Sequence, residues 1–307
     1  MIYYREHSFD RFSDLLRHLL KDVGMSGAFL FSWSDEWFKF TWNTLPRQTV
    51  VDSERRSLWH DPLTNEQWFG IIATDPLGNG WQQTYAGSGA IRQVETDTDA
   101  SFAYARITFE QPPTQPFALL FQVLPSSGGP DHVVRVNPVA GTAQAYVKDE
   151  LDPILLDGLG RANLPPRDGT GWSIQRLTLN RSLNVKGKQF PPEFFEVGQL
   201  RRGNFDPEAA DYDSLATWSL HENQFELRLP WPMLGLADPS SHVAVVPDAN
   251  GDAHPAPVGD IAMNIAFNGA ETPVGSLRWN NWQTGEAVER VKRGADVLAR
   301  AFAETAG

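Results

Sequence analysis

The sequence predicts a mainly β fold: an antiparallel β-sandwich with a short N-terminal α/β element and a C-terminal helix. Three observations point there. From about residue 81 onward, eight short apolar segments follow one another, each bounded by Gly, Pro, Asp or Asn, without helical periodicity between them. Turn formers and aromatics are abundant, with 25 Gly, 22 Pro and 11 Trp in 307 residues, a composition that suits a loop-rich β protein. Helical spacing is confined to the two ends of the chain.

Near the start, Phe9, Phe12, Leu15, Leu16, Leu19, Leu20 and Val23 recur at helical spacing, with Ser8 placed to cap the helix and Gly24 to end it. Next comes GAFLFSW, residues 27–33, a continuous apolar run of strand length, the pattern of a strand buried on both faces. Residues 1–50 therefore read as a helix-strand element. Residues 51–80, with Asp, Asn, Gly and Pro between short apolar pieces, read as an extended connection. Residues 81–307 hold the sandwich, whose strand candidates are SFAYARITF, FALLFQVL, HVVRVNP, AQAYVK, WSIQRLTLN, QFELRLPW, HVAVVP and IAMNIAFNG. The intervening segments 149–168 and 184–213 are long enough to be binding elements or packed excursions. Residues 286–304, EAVERVKRGADVLARAFAE, read as a closing helix with Val288, Val291, Ala295, Val297, Leu298 and Phe302 on its apolar side.

The net charge of -12, without a Lys/Arg cluster, argues against nucleic acid and anionic membrane surfaces as partners. The absence of cysteine removes disulfides, thiolate nucleophiles and Cys-based zinc sites. The opening MIYYREHSFDRF is too charged for a secretory core and no run approaches membrane-spanning length, which predicts a cytoplasmic chain as written.

Asp35 and Glu36 are the acids that draw attention, in SDEWFK. Being adjacent, they point to opposite faces of any extended backbone and cannot by themselves form the facing pair that glycoside hydrolysis needs. One of them lines a sugar subsite with Trp33 or Trp37, or both cap a loop or pair with Lys39 or Arg47. For sugar stacking, Trp172, Trp218, Trp279 and Trp282 lie close to turns, the last two beside Asn280, Asn281 and Gln283; the alternative for each is packing in the core, as for Trp231. In DANGD, Asp248, Asn250 and Asp252 alternate as at the opening of a calcium loop, but the twelfth position is Gly259, and an Asn-Gly turn explains the same residues. His60 beside Asp61 and His132 beside Asp131 are acid/base pairs on paper, although sequence neighbours seldom meet side chain to side chain in a strand.

Two sets of motifs carry a family resemblance. GAFLFSWSDEWFKFTWNT followed by RRSLWHDPLTNEQWFGI resembles the last strand of a glycosidase-type (β/α)8 barrel and the segment that leaves it. TDTDASFAYARITF and YDSLATWSLHENQFELRLPWPMLGLADPS, with VERVKRGADVLARAF, are similar to family 9 carbohydrate-binding modules. The resemblance implies a chain that begins at the final helix of a barrel and lacks the strands that carry the catalytic carboxylates. It also implies a structural calcium near the first sandwich strands, for which Asp97 and Asp99 are candidates.

The resulting expectation is a non-catalytic carbohydrate-associated module that supports or targets a glycoside-active partner or an upstream catalytic region. It has no cofactor beyond a candidate Ca²⁺, and a barrel subunit or a homo-oligomer covers its N-terminal strand. The alternatives are a glycoside hydrolase built from acids such as Asp35, Glu36 and Glu66, and an assembly module that docks through residues 29–33.

Overall fold

A computed structural model describes residues 8–157 and 170–305. In chain order its strands are β1 (Ile72–Pro76), β2 (Gln82–Ala86), β3 (Ile91–Thr98), β4 (Phe102–Phe109), β5 (Phe117–Gln122), β6 (His132–Asn137), β7 (Thr142–Lys148), β8 (Trp172–Ile174), β9 (Leu177–Asn180), β10 (Leu183–Val185), β11 (Lys188–Phe190), β12 (Glu193–Phe195), β13 (Gln199–Leu200), β14 (Trp218–His221), β15 (Gln224–Pro230), β16 (Leu236–Asp238), β17 (Val243–Pro247), β18 (Ala253–Pro257), β19 (Ile261–Phe267), β20 (Ala270–Leu277) and β21 (Ala287–Val291). The helices are α1 (Ser8–Arg17), continued by a π-type turn over His18–Asp22, the short α2 (Leu45–Gln48) and α3 (Ala295–Thr305).

Two antiparallel sheets face each other. One has five strands in the order β14-β15-β4-β3-β2; the other has seven, β13-β7-β6-β5-β19-β20 with β8 also on β7. Period-two alternation decides what lies between them. Phe117, Leu119 and Phe121 of β5 are buried while Ala118, Leu120 and Gln122 face the other way, and Phe225, Leu227 and Leu229 of β15 enter from the opposite sheet. Phe117 meets Phe109 and Phe225 edge-on across the gap, each at a centroid distance of 5.1 Å. The β19–β20 hairpin turns on Asn268 and Gly269, both at positive φ (52° and 76°), the backbone that an Asn-Gly two-residue turn supplies.

All eight sequence-predicted segments hold strands, although WSIQRLTLN divides into β8 and β9 of separate sheets, and β20 is the instructive omission. Its Pro273 and Gly275 look like turn residues, yet Gly275 is where β20 meets β2: a Cβ there would stand 2.9 Å from the carbonyl oxygen of Thr84. The glycine is a point of close approach between the two sheets rather than a break.

At the N-terminus the structure corrects the expectation of a doubly buried strand. Residues 27–33 form no strand. Ala28 and Leu30 pack on the cluster of Leu16 of α1 with Leu298 and Ala301 of α3, but the intervening side chains point outward, with Phe29 104%, Phe31 60% and Trp33 75% exposed. Among the described residues one edge is paired, through Ser32 N–H to the Phe69 carbonyl (3.0 Å) and Ile72 N–H to the Trp33 carbonyl (2.9 Å), with a parallel bridge from Ser34 to Ile72. An apolar run cannot by its pattern say whether a second layer exists to cover it.

The closing segment also differs. Residues 286–304 are not one helix: β21 pairs antiparallel with β1, and α3 begins only at Ala295. Arg290 reaches across that pair to Asp75 (Nε to Oδ2, 2.6 Å), an ion pair that helical geometry would have forgone. The connection 51–80 contains 3₁₀ turns at Ser53–Leu58 and Asn65–Trp68 before β1. Of the long segment 149–168, residues 158–168 lie outside the described residues. No helix among the described residues is long and apolar enough to cross a membrane.

Candidate functional site

The outer face of the seven-stranded sheet carries an open groove. Strand register lines up a row of side chains across it: Glu271 of β20, Ala266 of β19, Ala118 of β5, Arg135 of β6, Gln144 of β7 and Gln199 of β13. The two central alanines leave a trough between an acid on one side and a guanidinium and two amides on the other. An open groove of about 720 Å³ follows this row from Glu271 to Gln144, with Gln199 beyond its lining. The neighbouring row runs from Asn264 through Leu120 and Val133 to Tyr146 and Ile174, and beyond it Lys148 stands beside Trp172.

The groove's polar groups are held in fixed orientations. The Arg135 guanidinium lies 4.5 Å over the Tyr146 ring, and the Tyr146 hydroxyl donates to Gln144 Oε1 at 2.8 Å. Asn264 Nδ2 donates to Glu271 Oε1 at 2.5 Å. A carboxylate, amides and a guanidinium plane beside a floor of methyl groups can accept from and donate to a polyhydroxylated ligand while the flat groups lie against its C–H face. These residues escaped sequence reasoning, although the signal was present: the outward positions of AQAYVK and IAMNIAFNG are polar or small where their inward neighbours are apolar.

A second cavity of about 570 Å³ opens at the sandwich edge, with Phe102, Phe194, Phe195 and Met233 among its walls and Arg201 and Thr217 at polar positions. Gln199 belongs to both its lining and the sheet-face row.

The residues singled out from sequence fall into three places. Trp172 is half-buried on the outer sheet face opposite Lys148, two rows from the groove and outside its lining. Trp218 and Trp279 are inside, their indole N–H groups donating to the carbonyls of Leu200 (3.2 Å) and Pro239 (2.8 Å). The partly buried Trp282 donates to the Leu58 carbonyl (2.6 Å). Burial of this kind removes Trp218 and Trp279 from any platform that needs an exposed indole face. Trp33 and Trp37 belong to the N-terminal segment, where Trp37 stacks on buried His60 at 5.3 Å and Trp68 also packs on that imidazole, at 3.9 Å.

Asp35 is sequestered rather than presented to a cleft. Its side chain is 1% exposed, and Oδ1 accepts from Lys292 Nζ (2.7 Å) and from the Gly70 N–H (3.0 Å). Burial raises its pKa above the ordinary carboxylate value against the lowering pull of Lys292. Glu36 pairs with Lys39 at 3.5 Å, as one sequence reading had it.

The DANGD segment closes a turn: Asp248 Oδ1 accepts from the N–H groups of Asn250 (2.7 Å) and Asp252 (3.0 Å), and His254 Nε2 lies 3.2 Å from Oδ2. Those bonds, that from Asp252 foremost, hold the Asp248 pKa down. Among the described residues no group of three or more His, Asp and Glu is arranged to hold a metal ion. Asp99 is buried, accepts from the N–H groups of Ser101 (2.6 Å) and Phe102 (2.7 Å) and from the Tyr104 hydroxyl (2.5 Å), and burial pushes its pKa up to about 7. Asp97 accepts from the N–H of Thr98 at 2.7 Å.

Asp131 and His132 do meet, contrary to the expectation for sequence neighbours, with Oδ1 2.8 Å from Nδ1. Asp131 precedes β6 and its carboxylate turns back to accept from the N–H groups of Val123 and Leu124, which brings it against the imidazole. No protein-family model, curated protein or solved structure matches this chain.

Proposed function

We propose that the chain is a non-catalytic carbohydrate-binding module that holds a glycoside-active partner or catalytic region near its polymer, with the outer face of the seven-stranded sheet as its binding groove. The observation that carries this reading is the cross-strand row, in which Ala266 and Ala118 form a trough flanked by Glu271 on one side and Arg135, Gln144 and Gln199 on the other. Tyr146 supplies aromatic surface in the next row and Trp172 two rows away on the same face, and an open trough suits a chain of sugars better than a single enclosed one. The buried pairing of Asp35 with Lys292 favours the non-catalytic form of the reading over a hydrolase that uses Asp35.

A glycan array followed by affinity electrophoresis on the ligands it identifies tests the proposal. Arg135→Ala combined with Tyr146→Ala is expected to weaken binding by tenfold or more, about 1.4 kcal/mol per factor of ten. Absence of binding to any glycan by the unaltered chain, or undiminished binding by the variant, would overturn it.

A further inference from the structure

The N-terminal segment carries a surface that the groove does not use. Among the described residues, no backbone N–H or C=O of residues 26–31 is hydrogen-bonded within the chain. Along the same stretch and its return, Phe29, Phe31, Trp33, Phe38, Phe40 and Trp42 are all exposed, at 43% to 104%. Lys39 Nζ lies 4.7 Å over the Phe31 ring, which brings the returning segment alongside the outgoing one.

We propose that this patch is a two-fold interface between two copies of the chain, with residues 26–31 of each pairing antiparallel as strands. Three observations select a second copy. The first is size: side chains of about 150–250 Å² each, exposed to this degree, offer on the order of 700 Å², close to the ~800 Å² that each partner contributes to a standard stable interface. The second is the unpaired backbone. A lipid surface would cover the rings and leave the amides without partners, whereas a two-fold axis brings an identical open strand edge against each one. The third is charge. The chain as a whole is at -12, so copies repel over most of their surface. Here Glu36 is paired with Lys39, and Arg56 and Arg181 lie over the Phe40 and Trp42 rings at 4.9 and 5.6 Å, so the negative charge is locally offset. The interface does not depend on sugar binding at the outer sheet face.

Sedimentation equilibrium of the full chain from about 1 to 100 μM, a range that brackets micromolar association, reads the proposal directly. The expected result is a shift from the mass of one chain to that of two. Phe29→Lys with Phe31→Lys, which sets like charges against each other across the axis, is expected to stay at one-chain mass. Val139→Lys, at a 77% exposed position in the β6–β7 turn, is expected to dimerise normally. Hydrogen exchange on the unaltered chain gives a readout independent of any variant: amides 26–31 become protected as concentration rises. A one-chain mass throughout, a dimer that survives the double substitution, or protection of these amides that is independent of concentration would each overturn the proposal, the last by pointing to a different occupant.

Discussion

Lys292 Nζ stands 2.7 Å from Asp35 Oδ1, an ion pair between residues 257 apart in sequence and nearly closed to solvent on both sides. Lys292 also donates to the Trp68 carbonyl at 2.9 Å. One ammonium therefore joins the N-terminal segment, the turn before β1 and the residue that follows β21.

Breaking that pair is expected to be costly because either partner would be left as an uncompensated buried charge. Asp35→Asn or Lys292→Met should each lower unfolding free energy by about 3–5 kcal/mol, and Asp35→Leu combined with Lys292→Met by less than the two single changes together. Urea denaturation of the three variants checks this; additive losses would mean that the two groups are not coupled.

Filling the trough should separate binding from folding. Ala266→Trp places an indole between Glu271 and Arg135 on an outward position, where stability is expected to change by no more than about 0.5 kcal/mol. Glycan affinity should be lost. Calorimetric titration beside a thermal melt distinguishes that outcome from general damage.

The tryptophans should divide in the same way. Trp218→Ala removes a fully buried ring and its hydrogen bond to the Leu200 carbonyl, with an expected stability loss of about 3–5 kcal/mol. Trp172→Ala, on the outer sheet face two rows from the groove, should leave stability nearly unchanged and weaken binding of glycans long enough to reach it. Denaturation and affinity measured on both variants check the division.

Asp99 makes a signed pH dependence. Its pKa in the fold is raised by burial from 3.8 to about 7, so between those values the folded chain holds a proton that the unfolded chain has released. Its contribution to stability is therefore largest below pH 4, declines as pH rises to about 7, and is flat above. Asp99→Asn keeps an oxygen for the Ser101 and Phe102 N–H groups and should flatten that part of the profile. Denaturation midpoints from pH 4 to 8 for both forms test it; parallel profiles would exclude Asp99 as the source.

Much of the architecture was legible in the chain itself. Alternating segments such as FALLFQVL and QFELRLPW carry the period of a half-buried strand, and that local pattern suffices to predict an antiparallel sandwich. The same alternation holds the outward positions of Arg135, Gln144 and Tyr146, but which strands lie side by side, and so which outward residues form a row, depends on pairings between β5, β6, β7, β19 and β13 across as many as 150 positions, as between Phe267 and Phe117 in the β19–β5 pair.

Periodicity failed where burial depends on a layer that sequence cannot locate. Residues 29–33 look the same whether covered on one face or two, and the packing of Ala28 and Leu30 on α1 and α3 alone decided that Phe29, Phe31 and Trp33 face outward. Val288 and Val291 fit a helix or a strand equally well until β1 offers them an edge. Local propensity thus determined the strands and their inward faces. Long-range contacts decided which face is open, which acid is neutralised and which indole is buried, because those depend on partners far along the chain.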